Sequence, residues 1–333
     1  MNIREKIEKI YGIIRVLTFL KILNAFQIFI SFYKSKKSRK AAIKGLPISI
    51  SVEPTTACNL RCPQCISGLR NFTRPTGMME IALFQKIVDE LSPTLLYLNL
   101  YFQGEPYLNT DFLEMVKYAS QRKIYTSTST NAHYFTPENA IKTVRSGLDR
   151  LIISIDGVRQ ESYEKYRIGG EIEKVWQGIN ALQSAKKQLN SSSPHIILQF
   201  IVFKHNEHEV DDIIQKSKEF GLDLQIKTAQ IYDQEGMENL NPAKKHYSRY
   251  SQEQKTENEC WKMWHSAVIT WDGKVVPCCF DKDANFEFGN INIQPFYEIW
   301  NNNSYSDFRN KLFSNRQEIS MCNNCSEGSK IYI

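Results

Sequence analysis

The chain has 333 residues and a formal net charge of +6, but the excess is local. Residues 1–44 carry eleven Lys or Arg against Glu5 and Glu8, a balance of +9 that leaves −3 for everything else. A mildly acidic main body presents no basic stripe, which excludes a nucleic-acid partner, and its length suffices for one large α/β domain or two smaller ones.

The first segment, residues 1–46, is apolar and then basic. Between residues 9 and 33 the apolar side chains are interrupted only by Arg15 and Lys21 among the charged types. The longest uncharged stretch, Ile22 to Tyr33, has twelve residues, short of the roughly 20 that a membrane-spanning helix needs. Lys34, Lys36, Lys37, Arg39 and Lys40 follow at once. Two readings stay open for residues 9–40. One is a helix lying in the membrane interface with its cations on anionic headgroups. The other is a helical layer packed on the main domain. A cleaved signal peptide is not expected, because there is no small-residue cleavage site and export would oxidise the thiols.

Residues 47–232 alternate β-rich runs with helical stretches. The expected strands are 48–53, 95–102, 124–130, 150–155, 196–203 and 222–228, with helices near 80–91, 110–121, 137–147, 171–189 and 207–220. Pro137 suits a helix start, and Gly147 and Gly221 suit helix ends. Six such units imply parallel pairing through right-handed crossovers. The fold class is therefore α/β, a partial (β/α)6 TIM-like barrel whose site lies at the carboxyl ends of the strands. Polar residues do follow each strand: Gln103-Gly104-Glu105-Pro106 after the second, Ser127 to Asn131 at the third, Ser154 and Asp156 at the fourth.

The first strand leads into Cys58-Asn-Leu-Arg-Cys62-Pro-Gln-Cys65. Three thiolates on a 4Fe-4S cube leave one iron open, which a four-cysteine site would close. Structural zinc is the plainer alternative, although a closed tetrahedral site wants a fourth ligand and this loop holds no histidine. Three closely spaced thiols make an odd set for disulfides.

Residues 233–333 lose the βα rhythm. Residues 233–259 read as a connector, and Asp272-Gly273 between short β-runs signals a tight hairpin. The hairpin would bring Cys260 and Cys278 together, and Cys322-x2-Cys325 adds two more thiols. Spacing alone leaves zinc and a second cluster equally open.

Together these motifs resemble the radical S-adenosylmethionine (SAM) superfamily over about residues 48–330. The resemblance implies that Cys58, Cys62 and Cys65 hold a catalytic 4Fe-4S cluster whose unique iron binds SAM, cleaved there to a 5'-deoxyadenosyl radical. Gln103-Gly-Glu-Pro106 is similar to the family's Gly-Gly-Glu-Pro motif, with Gln103 in place of the first glycine. This makes Glu105 the expected partner of the SAM ammonium. Ser127, Asn131, Ser154 and Asp156 match positions that meet the SAM carboxylate and ribose, and Arg167 matches an arginine near that carboxylate. Gln64 stands where an aromatic residue usually packs on adenine, so that contact is expected from the backbone near 201–203.

The C-terminal pattern C-x12-G-x4-C, then Gly289-Asn-Ile291, Glu298-Ile-Trp300 and C-x2-C, resembles the cysteine-rich SPASM extension in its shortened "twitch" form. That form implies one auxiliary 4Fe-4S cluster on Cys260, Cys278, Cys322 and Cys325, with Cys279 spare.

The expected function is a radical SAM oxidoreductase, served by an external one-electron reductant of the flavodoxin or ferredoxin kind. An interfacial N-terminus favours a carbohydrate or lipid-linked cell-envelope sugar and a cytoplasmic enzyme peripheral to the membrane's inner face. The alternatives are a radical SAM maturase of a peptide or protein and, from another class, a non-catalytic zinc-binding α/β protein. His133, His205 and His265 read as surface or packing residues, Gly169-Gly170 as a turn.

Overall fold

The computed structural model describes residues 3–231, 233–250, 257–322 and 325, so part of the expected connector, 251–256, lies outside the described residues. Two N-terminal helices, α1 (Ile3–Val16) and α2 (Phe19–Ser38), precede the sheet. Six strands then fall where the β-rich runs lie: β1 (Ser49–Val52), β2 (Tyr97–Asn99), β3 (Tyr125–Thr130), β4 (Arg150–Ser154), β5 (His195–Val202) and β6 (Asp223–Thr228). Each pairs in parallel with the next.

The crossovers are α3 (Ile66–Leu69) and α4 (Ile81–Leu91), α5 (Phe112–Gln121), α6 (Pro137–Arg145), α7 (Gln160–Tyr166) with α8 (Ile172–Gln188), and α9 (Val210–Glu219). On α4 the buried residues Phe84, Ile87, Val88 and Leu91 recur at helical spacing and form the stripe that meets the sheet. Thr136 caps α6, its hydroxyl accepting from Asn139 N at 3.2 Å, and Pro137 occupies the first turn, where its missing N–H costs nothing. Leu151, Ile152 and Ile153 of β4 are all buried, as a strand covered on both faces requires.

The sheet does not stop at β1. After α10 (Gln234–Leu240) and α11 (Lys262–His265), β7 (Ser266–Ile269) pairs in parallel with β1. It then turns through Gly273, at φ +87°, into antiparallel β8 (Lys274–Val276) and β9 (Gly289–Asn290). The expected hairpin forms, and its first strand also covers the edge of β1, which would otherwise leave unpaired backbone groups. The order is β6-β5-β4-β3-β2-β1-β7-β8-β9, an open sheet in which no described strand joins β6 to β9. Helices α12 (Phe296–Asn301) and α13 (Asn303–Asn315) close the C-terminal end.

Glu53, at the end of β1, ties these parts together. Its carboxylate takes a buried two-pronged bond from Arg74 (2.9 and 2.6 Å) and a third from Trp271 N (3.2 Å) in the hairpin turn. Arg74→Ala would strand a buried charge, and we expect it to cost about 3–5 kcal/mol, read as a lower urea midpoint.

The N-terminal helices sit at the amino-terminal end of the barrel. Gly12 of α1 lies so close to the ring of Tyr125, the first residue of β3, that a Cβ would fall 2.3 Å from it. Arg15 pairs with Asp149, just before β4, and Lys21 Nζ donates to the carbonyl of Lys123. Asn24 brackets Leu46 through both backbone groups at 2.8 Å. Further along α2, Phe32 packs edge-on to Trp261 and Trp264, with ring centres 5.1 and 5.4 Å away, and Lys36 bonds Glu259 at 2.9 Å. One side of this segment is thus a layer on the main domain, the second of the two readings left open above.

Candidate active site

The loop after β1 is held from several sides before any side chain faces the site. Ala57 O accepts from Glu105 N (2.7 Å), and Arg61 N donates to Ile168 O (3.0 Å). Asn131 Nδ2 donates to Asn59 Oδ1 at 2.7 Å. Gly104, at φ +73°, lets the β2 loop press against this strap, since a Cβ there would lie 2.3 Å from Thr55 O. No other residue tolerates that approach together with that backbone conformation.

These contacts bring Cys58, Cys62 and Cys65 to one wall of a cavity of about 290 Å3 at the carboxyl ends of the strands. Gly104, Glu105, Asn131, Ser154 and Arg167 line it as well. Four residues expected at the site do not line it. Gln103 is buried beside it, Pro106 opens a short turn, and Asp156 lies fully buried behind Arg167. Ser127 sits within β3, paired with Arg150 of β4, while Ser129 stands at the rim, 3.2 Å from the Ser154 hydroxyl. Residues 127, 129 and 131 share one face of the strand, and the first is the deepest, which period-two geometry alone could have told. Tyr101, Phe203 and Lys282 also line the cavity and carried no motif.

Glu105 is buried and accepts from Thr130 Oγ1 (2.7 Å), Asn131 N (2.8 Å) and Tyr107 N (3.3 Å). Burial outweighs these donors and raises its carboxyl to about 7. Arg167 is fixed by Asp156, whose Oδ2 accepts from Nε at 2.6 Å while Oδ1 accepts from Ile201 N at 2.8 Å. Its Nη1 lies 3.9 Å from Cys62 Sγ. Burial pushes the Cys62 thiol up to about 12, against the pull of Arg167. A thiol this deep ionises on binding a metal, so loading the site releases protons. Where an aromatic residue was wanted, Gln64 instead donates to Asp233 Oδ2 at 2.9 Å, and the apolar wall comes from Phe203 packed at a tilt against Tyr166, ring centres 4.2 Å apart.

The second thiol group also converges. Cys260 feels the charge of Cys325, Cys278 that of Cys260, and Cys322 those of Cys260 and Cys325. Cys260, Cys322 and Cys325 are buried, whereas Cys279 is exposed and accepts from Lys262 Nζ at 3.7 Å. Arg316 braces the group, donating to Glu259 O (3.0 Å) and Cys325 O (3.3 Å). Lys282 projects between the two groups, within electrostatic reach of Cys65 and Cys279. The three thiols on the cavity wall have the donor chemistry of a metal–sulfur centre, but among the described residues no three thiol, imidazole or carboxylate side chains stand close enough together to hold a metal ion as they are placed.

A family model of the radical SAM superfamily matches residues 52–217, and one of an iron–sulfur cluster-binding domain, SPASM, matches residues 260–326. The chain belongs to the radical SAM superfamily and carries a SPASM domain. Its cofactors are SAM and two 4Fe-4S clusters. Among curated relatives, the tungsten-containing aldehyde ferredoxin oxidoreductase cofactor-modifying protein of Pyrococcus furiosus is 26% identical, over 83% of this chain and 86% of that one. Mycofactocin maturase MftC of Mycobacterium ulcerans is 29% identical over 54% of this chain, which spans 47% of the relative's length. Streptococcus suis SuiB bound to S-adenosylmethionine shares the fold, with a TM-score of 0.64 at 13% identity, covering 89% of this chain and 74% of that one.

Proposed function

We propose that this enzyme is a radical SAM maturase that modifies a peptide or protein. The observation that carries the reading is the similarity to the mycofactocin maturase across the SAM-binding half. The site's geometry supports it. The cavity opens at the carboxyl ends of the strands, where a side chain projecting from a larger substrate can enter.

The carbohydrate expectation gives way here. It rested on an interfacial N-terminus, and α1 and α2 meet the strands at their amino ends, opposite the site. Along β3 that is about 16 Å from the cavity rim. A sugar anchored in a bilayer beneath α1 and α2 would face the wrong end of the barrel.

In this proposal Cys58, Cys62 and Cys65 hold the cluster that binds SAM, and Cys260, Cys278, Cys322 and Cys325 hold the auxiliary one. Bound together, cluster and SAM supply a hydrogen-abstracting carbon radical. The protein's own residues orient it. Glu105 takes the SAM ammonium, Arg167, aimed by Asp156, takes the carboxylate, and Ser129 with Ser154 meets the ribose. Phe203 and Tyr166 form the wall for adenine. An external one-electron carrier of the flavodoxin or ferredoxin kind serves as reductant.

The test is substrate-dependent 5'-deoxyadenosine formation by the reconstituted protein, offered short peptides encoded beside its gene and, separately, free and lipid-linked sugars. Stimulation by a peptide that emerges with an altered mass is expected. Stimulation by a sugar alone would overturn the proposal. A second expectation follows from Glu105. Since SAM's ammonium favours the carboxylate, SAM affinity should weaken by up to tenfold per unit as pH falls below about 7. Binding isotherms of Glu105→Gln should be weaker and lack that slope.

A further inference from the structure

Helix α2 is turned inside out. The side it buries carries Lys21, Asn24, Ser31 and Ser35 beside Ile28 and Phe32, with Lys21 1% and Ser35 0% exposed. Its outer side carries Phe19 (74% exposed), Ile22 (51%), Leu23, Phe26 (61%), Phe29 and Tyr33. Spacings of three and four place these on one stripe. Ile10, Tyr11 and Ile14 of α1, and Leu17 and Leu20 at the junction, add to it. Eleven of the 17 exposed large apolar residues among those described fall in residues 10–33. An apolar face this concentrated marks a docking surface, whereas single exposed apolar residues are ordinary.

Charge identifies the occupant. The stripe runs straight into Lys34, Lys37 and Lys40, all exposed, on a segment where Glu5 and Glu8 are the only acidic residues up to residue 44. Aromatic and aliphatic side chains ending in a lysine collar match the boundary between acyl chains and anionic headgroups. No described helix is by itself long and apolar enough to cross a membrane, and α2 is held along one side against the barrel, which leaves its apolar side to face a surface. The buried polar side explains how this works. Lys21 bonds the carbonyl of Lys123 on the barrel, and Asn24 and Ser35 bond Leu46 and Ala42 in the linker that folds back beneath the helix, so the polar side is used up inward while the apolar side faces out.

We propose that the outer face of α1–α2 docks on an anionic bilayer surface, with the barrel standing on the amino ends of its strands and the cavity mouth turned away from the lipid. This inference is independent of the substrate proposed above.

Flotation of the cluster-loaded full chain with vesicles of phosphatidylcholine, with and without phosphatidylglycerol, tests it. The protein should float with the anionic vesicles. Ile22→Gln/Phe26→Gln should lower the partition coefficient about tenfold or more, while 5'-deoxyadenosine formation stays at the parent level. Lys34→Gln/Lys37→Gln/Lys40→Gln should weaken binding to the anionic vesicles alone, about fivefold per charge removed. Flotation indifferent to both variants, or no flotation at all, would overturn the proposal. So would a parent protein that ignores vesicles but sediments as a dimer that Ile22→Gln/Phe26→Gln splits, which would assign the face to a second copy.

Discussion

Changing Cys58, Cys62 and Cys65 together to alanine is expected to reduce 5'-deoxyadenosine formation to the level of a reaction without enzyme. The same variant should lose about half of the roughly eight irons that two cubes contain. The expectation rests on how the loop is built. Its three thiols share one cavity wall with Glu105 and Arg167. The loop's shape is set mainly by backbone bonds to Glu105 and Ile168 and by the closely packed Gly104, with one bond to a sulfur, from Leu60 N to Cys58 Sγ at 3.4 Å. The fold should therefore survive the change, and the loss should register as chemistry. Cys62→Ala alone should suffice, because the buried Cys62 sits against Arg167 and has no substitute among the loop's neighbours. Normal 5'-deoxyadenosine formation by the triple variant would refute the assignment.

Cys322→Ser/Cys325→Ser should separate the two centres. We expect iron to fall to about four per chain, SAM cleavage to persist, and conversion of substrate to product to disappear. The reasoning is positional. Cys322 and Cys325 reach Cys260 from the far end of the chain, and Arg316 anchors that segment through the carbonyls of Glu259 and Cys325. In the proposal above four thiolates close this centre, which leaves no open iron and gives it the part of passing electrons. Product formation at the parent rate, with half the iron gone, would remove that role.

Much of this molecule was legible in its sequence because the signals were local. The alternation of β-rich runs with helical stretches, punctuated by Gly and Pro, located all six barrel strands, and Asp272-Gly273 announced the hairpin. What was not legible depended on distance. Nothing in Val268-Ile269 indicates that it will lie parallel to β1, since that partner is more than 200 residues earlier. Choosing Ser127 over Ser129 overlooked how deep each lies along one strand face. Lys282 has no motif and reaches the cavity only because the second thiol group folds over the barrel rim. The N-terminal helices stayed open between two readings for a different reason: the composition of α2 shows an apolar segment with a few polar residues, but not that those polar residues are the side turned inward.

The ladder between β1 and β7 has a mechanical consequence. Four residues of each strand are in register, from Ser49 opposite Ser266 to Val52 opposite Ile269. The strap that bears the first thiols leaves one of these strands, and the hairpin that bears Cys278 leaves the other. Both redox centres therefore ride on a single stiff beam. Their spacing should hold constant as guests come and go, so the tunnelling gap between them belongs to the scaffold and not to whatever occupies the mouth.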